Sequence, residues 1–183
     1  MEIEIKAKIN NLAEIRDKLL AQGANKFADK HQLDVYLSPP HKSFFKTPYY
    51  LRVRNDFKTK KDVFEYIVCK KGFGDTSVSE EKEVGVADGR QLLSILKDLD
   101  FTENCRIEKQ REVFELNDFE IVLDKVKDLG NFIEVEVDAE LEDEPKERKR
   151  IVAFLNELGV SEEAFIKDGG YVELLTGTSA KDW

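Results

Sequence analysis

The sequence is poor in most of the residues that announce a common chemistry. It holds two cysteines, two histidines, four prolines, one tryptophan and one methionine in 183 residues. Cys69 and Cys105 have no metal-ligand spacing and are too few for a disulfide framework, so they read as small buried apolar residues in a reducing, cytoplasmic setting. His31 and His41 stand alone, and a lone histidine is more often structural or exposed than catalytic. No apolar run is long enough to cross a bilayer, and the N-terminus passes directly into a regular alternation with no leader-like segment. No Walker-type glycine loop is present; "KGFGDT" reads as a hairpin turn. Low-complexity stretches, a proline-rich linker and fixed-period repeats are also missing. One domain over 1–175, followed by a mobile polar tail at 176–183, is the economical expectation. Positive charge is short as well: 29 basic against 38 acidic residues give a net charge of -9. Such a surface repels nucleic acid and anionic membrane, yet it leaves room for a local cationic pocket.

What the sequence does hold is charge in register with a period of two. Charged residues make up 37 % of the chain, above the usual quarter or so. In "MEIEIKAKI" the residues Ile3, Ile5, Ala7 and Ile9 take one face of a strand, and Glu2, Glu4, Lys6 and Lys8 the other. Further strands are expected over 25–38, 49–57, 63–72, 77–86, 106–116, 119–126 and 131–141, most of them joined by short turns. Helices are expected after Asn10-Asn11, over 88–101 behind an Asp88 N-cap, and from Pro145 to Gly159. Short connections make the sheet mainly antiparallel, and eight such strands favour closure into a barrel, which removes exposed edges. The fold class is α+β: an eight-stranded β-barrel with amphipathic helices packed outside.

The same alternation pairs Arg52 with Arg54, Glu81 with Glu83, Lys109 with Arg111, and Glu134 with Glu136, Asp138 and Glu140. Two architectures fit. Either the apolar faces fill the barrel and the charges meet water, or the charges line a tunnel and the helices cover an apolar outer wall. Each helix has an apolar stripe that needs a sheet face, and the available apolar faces lie opposite the charges. Charges held inside must be paired or must ligate something. Arginines match phosphate oxygens with a planar fork of donors, and clustered carboxylates suit a hard cation that accompanies substrate phosphates. A salt-bridge lattice without chemistry would use the same residues.

The motifs resemble the CYTH superfamily, the triphosphate tunnel metalloenzymes, and its class IV adenylyl cyclase-like branch. Glu2-x-Glu4-x-Lys6 matches the N-terminal signature of that family. "HQLDVYL", "FFKTPYYLRVR", "CKKG", "SEEKE", "EKQR", "VLDKVKDLGNFIEVE" and "GYVELL" follow in the order of the family's other motifs. The resemblance departs at Ser79, where an arginine is common, and at Gly170, where serine is common. It implies a triphosphate-binding tunnel. Lys6, Arg52, Arg54, Lys70, Lys109 and Arg111 would hold the triphosphate. Mg²⁺ or Mn²⁺ would be held by Glu2, Glu4, Glu134 and Glu136, with Asp124, Glu81 and Glu83 as further candidates. Lys6, Lys70 and Asp124 are the catalytic candidates, and Asp34 and Tyr36 would shape the substrate end. Lys8, Asp138 and Glu140 are expected outside the site. The implied partner is a small-molecule triphosphate: ATP for a cyclase, thiamine triphosphate or tripolyphosphate for a hydrolase. A non-catalytic binder is a third reading, and homodimerisation stays open.

Overall fold

The computed structural model describes residues 1–44, 47–57, 63–73, 75–167 and 169–178. Gly74 of the expected hairpin turn, Phe45 and Lys46 of the motif that ends in Thr47, and the last five residues of the expected tail lie outside the described residues. The strands are β1 (Glu2–Ile9), β2 (Asn25–Ser38), β3 (Tyr49–Phe57), β4 (Val63–Phe73), β5 (Asp75–Val86), β6 (Thr102–Leu116), β7 (Phe119–Val126) and β8 (Gly130–Asp138). They close into one antiparallel barrel in the order β1–β5–β4–β3–β2–β6–β7–β8.

Among the described residues four α-helices accompany the barrel: α1 (Leu12–Ala21), α2 (Gly89–Asp98), α3 (Glu144–Glu157) and the short α4 (Tyr171–Thr176). Asn11 caps α1 by accepting from the Ala13 and Glu14 amides, and Asp88 caps α2 by accepting from Gln91. The second helix ends sooner than the expected 101, because Asp100 adopts a positive φ of 62° that no helix continues through. Strand β6 starts before the expected Arg106, since the long β2 extends the ladder as far as Ser38 opposite Thr102. Strand β8 stops at Asp138, opposite Glu2, where its partner β1 begins. None of the described helices is long and apolar enough to cross a membrane.

The packing decides between the two architectures. Ile3, Ile5, Ala7 and Ile9 of β1, Ile121 and Leu123 of β7, and Ile133, Val135 and Val137 of β8 form an outer core with α1 and α3. Helix α1 contributes Ile15 and Leu19, and α3 contributes Ile151, Phe154 and Leu155. A second cluster joins Val35, Leu37 and Val53 to Leu96 of α2. The helices therefore cover the apolar faces from outside, and the opposite, charged faces turn inward. A third cluster lies on that inner side, where Tyr171 and Val172 of α4 pack on Tyr36, Ile107, Val126 and Phe132. The short helix thus closes over part of the interior.

Candidate functional site

The inward faces surround a cavity of about 220 Å³. Its wall includes Glu2, Glu4 and Lys6 from β1, Arg52 and Arg54 from β3, Lys70 from β4, Glu81 from β5, Lys109 and Arg111 from β6, and Glu134 and Glu136 from β8. These charges form a chain of alternating sign that passes through all eight strands. Lys70 Nζ lies 3.4 Å from Glu2 and 2.9 Å from Glu4. Lys6 Nζ lies 2.8 Å from Glu4 and 3.0 Å from Glu134. Arg111 donates to Glu134 at 2.9 Å and grips both oxygens of Asp124 at 2.8 and 2.5 Å. Lys109 Nζ sits 4.0 Å from Asp124 and 3.7 Å from Asp34. Arg54 holds Asp34 with two bonds of 2.7 and 3.0 Å. Arg52 donates to both oxygens of Glu81 at 3.1 Å and to the Tyr36 hydroxyl at 3.3 Å.

The chain is not evenly balanced. Strands β1, β7 and β8 bring Glu2, Glu4, Glu120, Asp124, Glu134 and Glu136 against Lys6. Strands β4, β3, β2 and β6 bring Lys70, Arg52, Arg54, Lys109 and Arg111 against Asp34. The imbalance appears in the protonation equilibria. Burial, reinforced by Arg111 and Arg54, lowers Lys109 to about 7, against the nearby Asp124 and Asp34. Burial, reinforced by Glu4, Glu2, Glu120 and Glu134, raises Glu136 to about 8. Where signs alternate the shifts run the other way. Burial opposes ionisation of Glu4, yet Lys6 and Lys70 hold it down at about 2. Burial likewise disfavours the charged form of Lys70, but Glu4 and Glu2 raise its pKa. A buried ionic lattice of this size carries a desolvation cost that apolar packing would avoid.

Most of the expected site residues meet in this cavity, and three do not line it: Glu83, Asp124 and Asp34. Glu83 is exposed and does not line it; residues 82–85 are exposed on both strand faces, so this end of β5 stands at the rim. Asp124 is fully buried, with its oxygens taken by Arg111 and by the Tyr171 hydroxyl at 2.9 Å. Asp34 lies equally deep beneath Arg54. Lys8, Asp138 and Glu140 are exposed. Ser79, at the position where arginine is common, is buried and donates to Glu2 at 3.2 Å. Among the wall residues not anticipated are Lys30, Glu120, Tyr50 and Glu173. Glu120 shares the inward parity of Val122 and Asp124, and the period-2 argument would have found it. Tyr50 donates to Glu173 at 2.8 Å, and Glu173 also accepts from the Gly170 amide at 2.6 Å, which pins α4 across the cavity.

Among the described residues no three carboxylate, imidazole or thiol groups already converge as a metal shell. Lys6, Lys70 and Arg111 draw Glu2, Glu4 and Glu134 toward themselves. The donor set nonetheless fits a hard divalent cation. It consists of carboxylates, and among the described residues Glu136 has no cationic partner at ion-pair distance while being crowded by other acids.

The fold and this site define a class. The CYTH domain family matches residues 1–169, and the chain belongs to that family. A Methanocaldococcus jannaschii protein named "Putative adenylate cyclase" is 29 % identical over 95 % of this chain and 98 % of its own. A Pyrococcus horikoshii OT3 protein of known structure superposes with a TM-score of 0.86 at 28 % identity, over 97 % of this chain and 99 % of its own. A Hippeastrum protein described as a "putative adenylyl cyclase" with a dominant triphosphatase activity has a TM-score of 0.66 over 97 % of each chain. Its 16 % identity shows a shared fold alone.

Proposed function

We propose that this protein is a metal-dependent enzyme acting on a triphosphate within the barrel, and that its reaction converts ATP to cyclic AMP and pyrophosphate. The observation that carries the reading is the sorted charge of the tunnel, with cations concentrated on one arc and acids on the other. A metal–triphosphate complex carries the complementary arrangement. Arg52, Arg54, Lys109 and Arg111 hold phosphate oxygens, and Lys6 and Lys70 assist. Asp34 and Asp124 set the planes of Arg54 and Arg111, so Asp124 acts through Arg111 rather than on the reacting atoms. Glu2, Glu4, Glu134 and Glu136 would hold Mg²⁺ or Mn²⁺, which when bound neutralises phosphate charge and lowers the pKa of an attacking hydroxyl. In the cyclase reaction the ribose 3′-hydroxyl loses its proton to solvent and its oxygen bonds to the α-phosphorus as the bond to pyrophosphate breaks. The cation arc steadies the charge that passes to the leaving group. The name of the Methanocaldococcus relative, which aligns along nearly its whole length, supports cyclase chemistry.

A second reading, hydrolysis of tripolyphosphate or thiamine triphosphate, is favoured by one observation. The cavity of about 220 Å³ is smaller than the roughly 300–1,000 Å³ usual for drug-sized organic ligands. Incubation with ATP, tripolyphosphate or thiamine triphosphate in Mg²⁺ or Mn²⁺, with chromatography of the products, separates the two. Cyclic AMP with pyrophosphate is the expected result. Orthophosphate alone would replace the cyclase with a hydrolase, and binding without any product would leave a binder.

A further inference from the structure

Among the described residues, every cation in the tunnel wall but one is already engaged with an acid. Lys6, Arg52, Arg54, Lys70 and Arg111 each have a carboxylate oxygen at 2.5 to 3.1 Å. Lys109 lies 3.7 Å from Asp34. Lys30 of β2 is the exception. It lines the cavity and is half-buried, and among the described residues no carboxylate stands within ion-pair distance of it. Its place in the sheet adds a second observation. In the β2–β6 ladder Lys30 lies directly opposite Arg111. Like charges paired across a ladder are destabilising. Arg111 is compensated by Asp124 and Glu134, and Lys30 has no such partner. Burial changes at the same point. From Gln32 to Ser38 β2 is buried at every position except the half-buried Leu33, whereas from Asn25 to His31 it is exposed or half-buried. Tyr36, farther along the inner face, packs beneath α4. Six residues of strand, roughly 20 Å of rise, separate it from Lys30. Lys30 therefore stands where the tunnel wall gives way to solvent, far along β2 from the helix that covers the interior.

We propose that Lys30 is a further phosphate-binding residue, set at the mouth of the tunnel, where it meets the outermost phosphoryl group of a linear polyphosphate held by the deeper arginines. The other wall cations must share themselves between the ligand and the acids that already hold them. Lys30 breaks no ion pair when it turns to an anion, and its flexible four-carbon stem lets the ammonium follow the ligand. The contact makes the tunnel sensitive to chain length, because a third phosphoryl group reaches a cation that a second does not. This assignment rests on the reading of the tunnel as a triphosphate site, and its test is chosen to separate the two.

The test is calorimetry with metal-free tripolyphosphate and, separately, pyrophosphate. Lys30→Met should raise the Kd for tripolyphosphate about tenfold, the lower end of what a hydrogen bond to a charged group contributes, and leave the Kd for pyrophosphate unchanged. The thermal melt should hold, because no carboxylate loses a partner. Lys8→Met is the control. It removes the same charge from an exposed residue of β1 that does not line the cavity, and it should change neither affinity. Lys30→Gln repeats the test if the methionine variant does not fold, and the comparison with Lys8→Met decides the matter if pyrophosphate does not bind the parent. A parental Kd for tripolyphosphate in the folded Lys30 variant would overturn the assignment. So would an equal loss for pyrophosphate, or a loss matched by Lys8→Met, since either would reduce Lys30 to a part of the general field. Failure of the unmodified protein to bind tripolyphosphate would overturn the tunnel reading itself, whereas tight binding that ignores Lys30 overturns the assignment of Lys30 alone.

Discussion

The two arcs of the tunnel solve opposite problems with one scaffold. On β4, β3, β2 and β6 the difficulty is to keep cations close together, and buried aspartates beneath the arginines ease it. On β1, β7 and β8 the difficulty is to keep carboxylates close together, and lysines reach across to ease it. Each arc retains one residue for which the solution is incomplete: Lys109, lowered to about 7, and Glu136, raised to about 8. A ligand relieves both at once only if it carries negative charge on one side and positive charge on the other. The lattice therefore prefigures a complex more than it does either component alone.

The comparison breaks most sharply at Arg52. Arg52→Ala should cost triphosphate binding about 2–5 kcal/mol, the usual penalty for removing one member of a close charge pair, and the thermal melt should fall as well, because Glu81 loses both of its bonds from Arg52. Unchanged affinity by calorimetry would remove the cation arc from phosphate binding. The acid arc should respond differently. Glu136→Gln should abolish metal-dependent turnover and leave metal-free tripolyphosphate binding intact. Full turnover at ordinary Mg²⁺ would take Glu136 out of the ligand set.

Proton linkage sharpens the contrast further. Above about pH 7 Lys109 is largely neutral in the folded protein, and an arriving polyanion favours its charged form. Tripolyphosphate without metal should therefore bind with proton uptake at pH 8. Below about pH 8 Glu136 is largely protonated, and a divalent cation favours the carboxylate, so Mg²⁺ should bind with proton release at pH 7. Calorimetry in two buffers of different ionisation enthalpy reads both signs; the same sign for both ligands would contradict the division into arcs. The two groups also oppose each other in stability. Lys109 destabilises the fold below pH 7, and that cost is relieved as pH rises toward its ordinary 10.5. Glu136 adds a cost that grows as pH rises from its ordinary 4.5 through about 8.

The smallest effect is expected on the outside of the cation arc. There Ile95 of α2 and Leu99 just after it are exposed, whereas Ile15 and Leu19 of α1 and Ile151 and Leu155 of α3 are buried against the acid arc. Ile95→Lys should change stability by no more than about 0.5 kcal/mol in a denaturant titration.

Much of this was legible in the residues because strand parity is a sharp signal. Ile3 and Ile5 against Glu2 and Glu4 already separate wall from tunnel once helices are known to lie outside. Depth along the tunnel was not legible. Glu81 and Glu83 share a face, yet strand tilt leaves the first in the wall and lifts the second to the rim. Asp124 read as a ligand because its type and parity suit one; only the three-dimensional approach of Arg111 and Tyr171 shows that its oxygens are already taken. The six residues of α4 are too few for a helical period to stand out, and "GYVELL" carried a motif without its shape. The β1–β5 ladder, which joins only Glu2 with Ser79 and Ile3 with Val78, depends on how the sheet closes, and no local pattern records closure.

The two-faced strands have a consequence for how such a chain can change over generations. In β1 every odd position from Ile3 to Ile9 belongs to the outer core, and Glu2, Glu4 and Lys6 belong to the tunnel. Inserting or deleting one residue would exchange the two sets over the rest of the strand, placing carboxylates against α3 and isoleucines in the tunnel. Length variation among descendants of this gene should therefore collect in the connections, while the strands drift only by replacement.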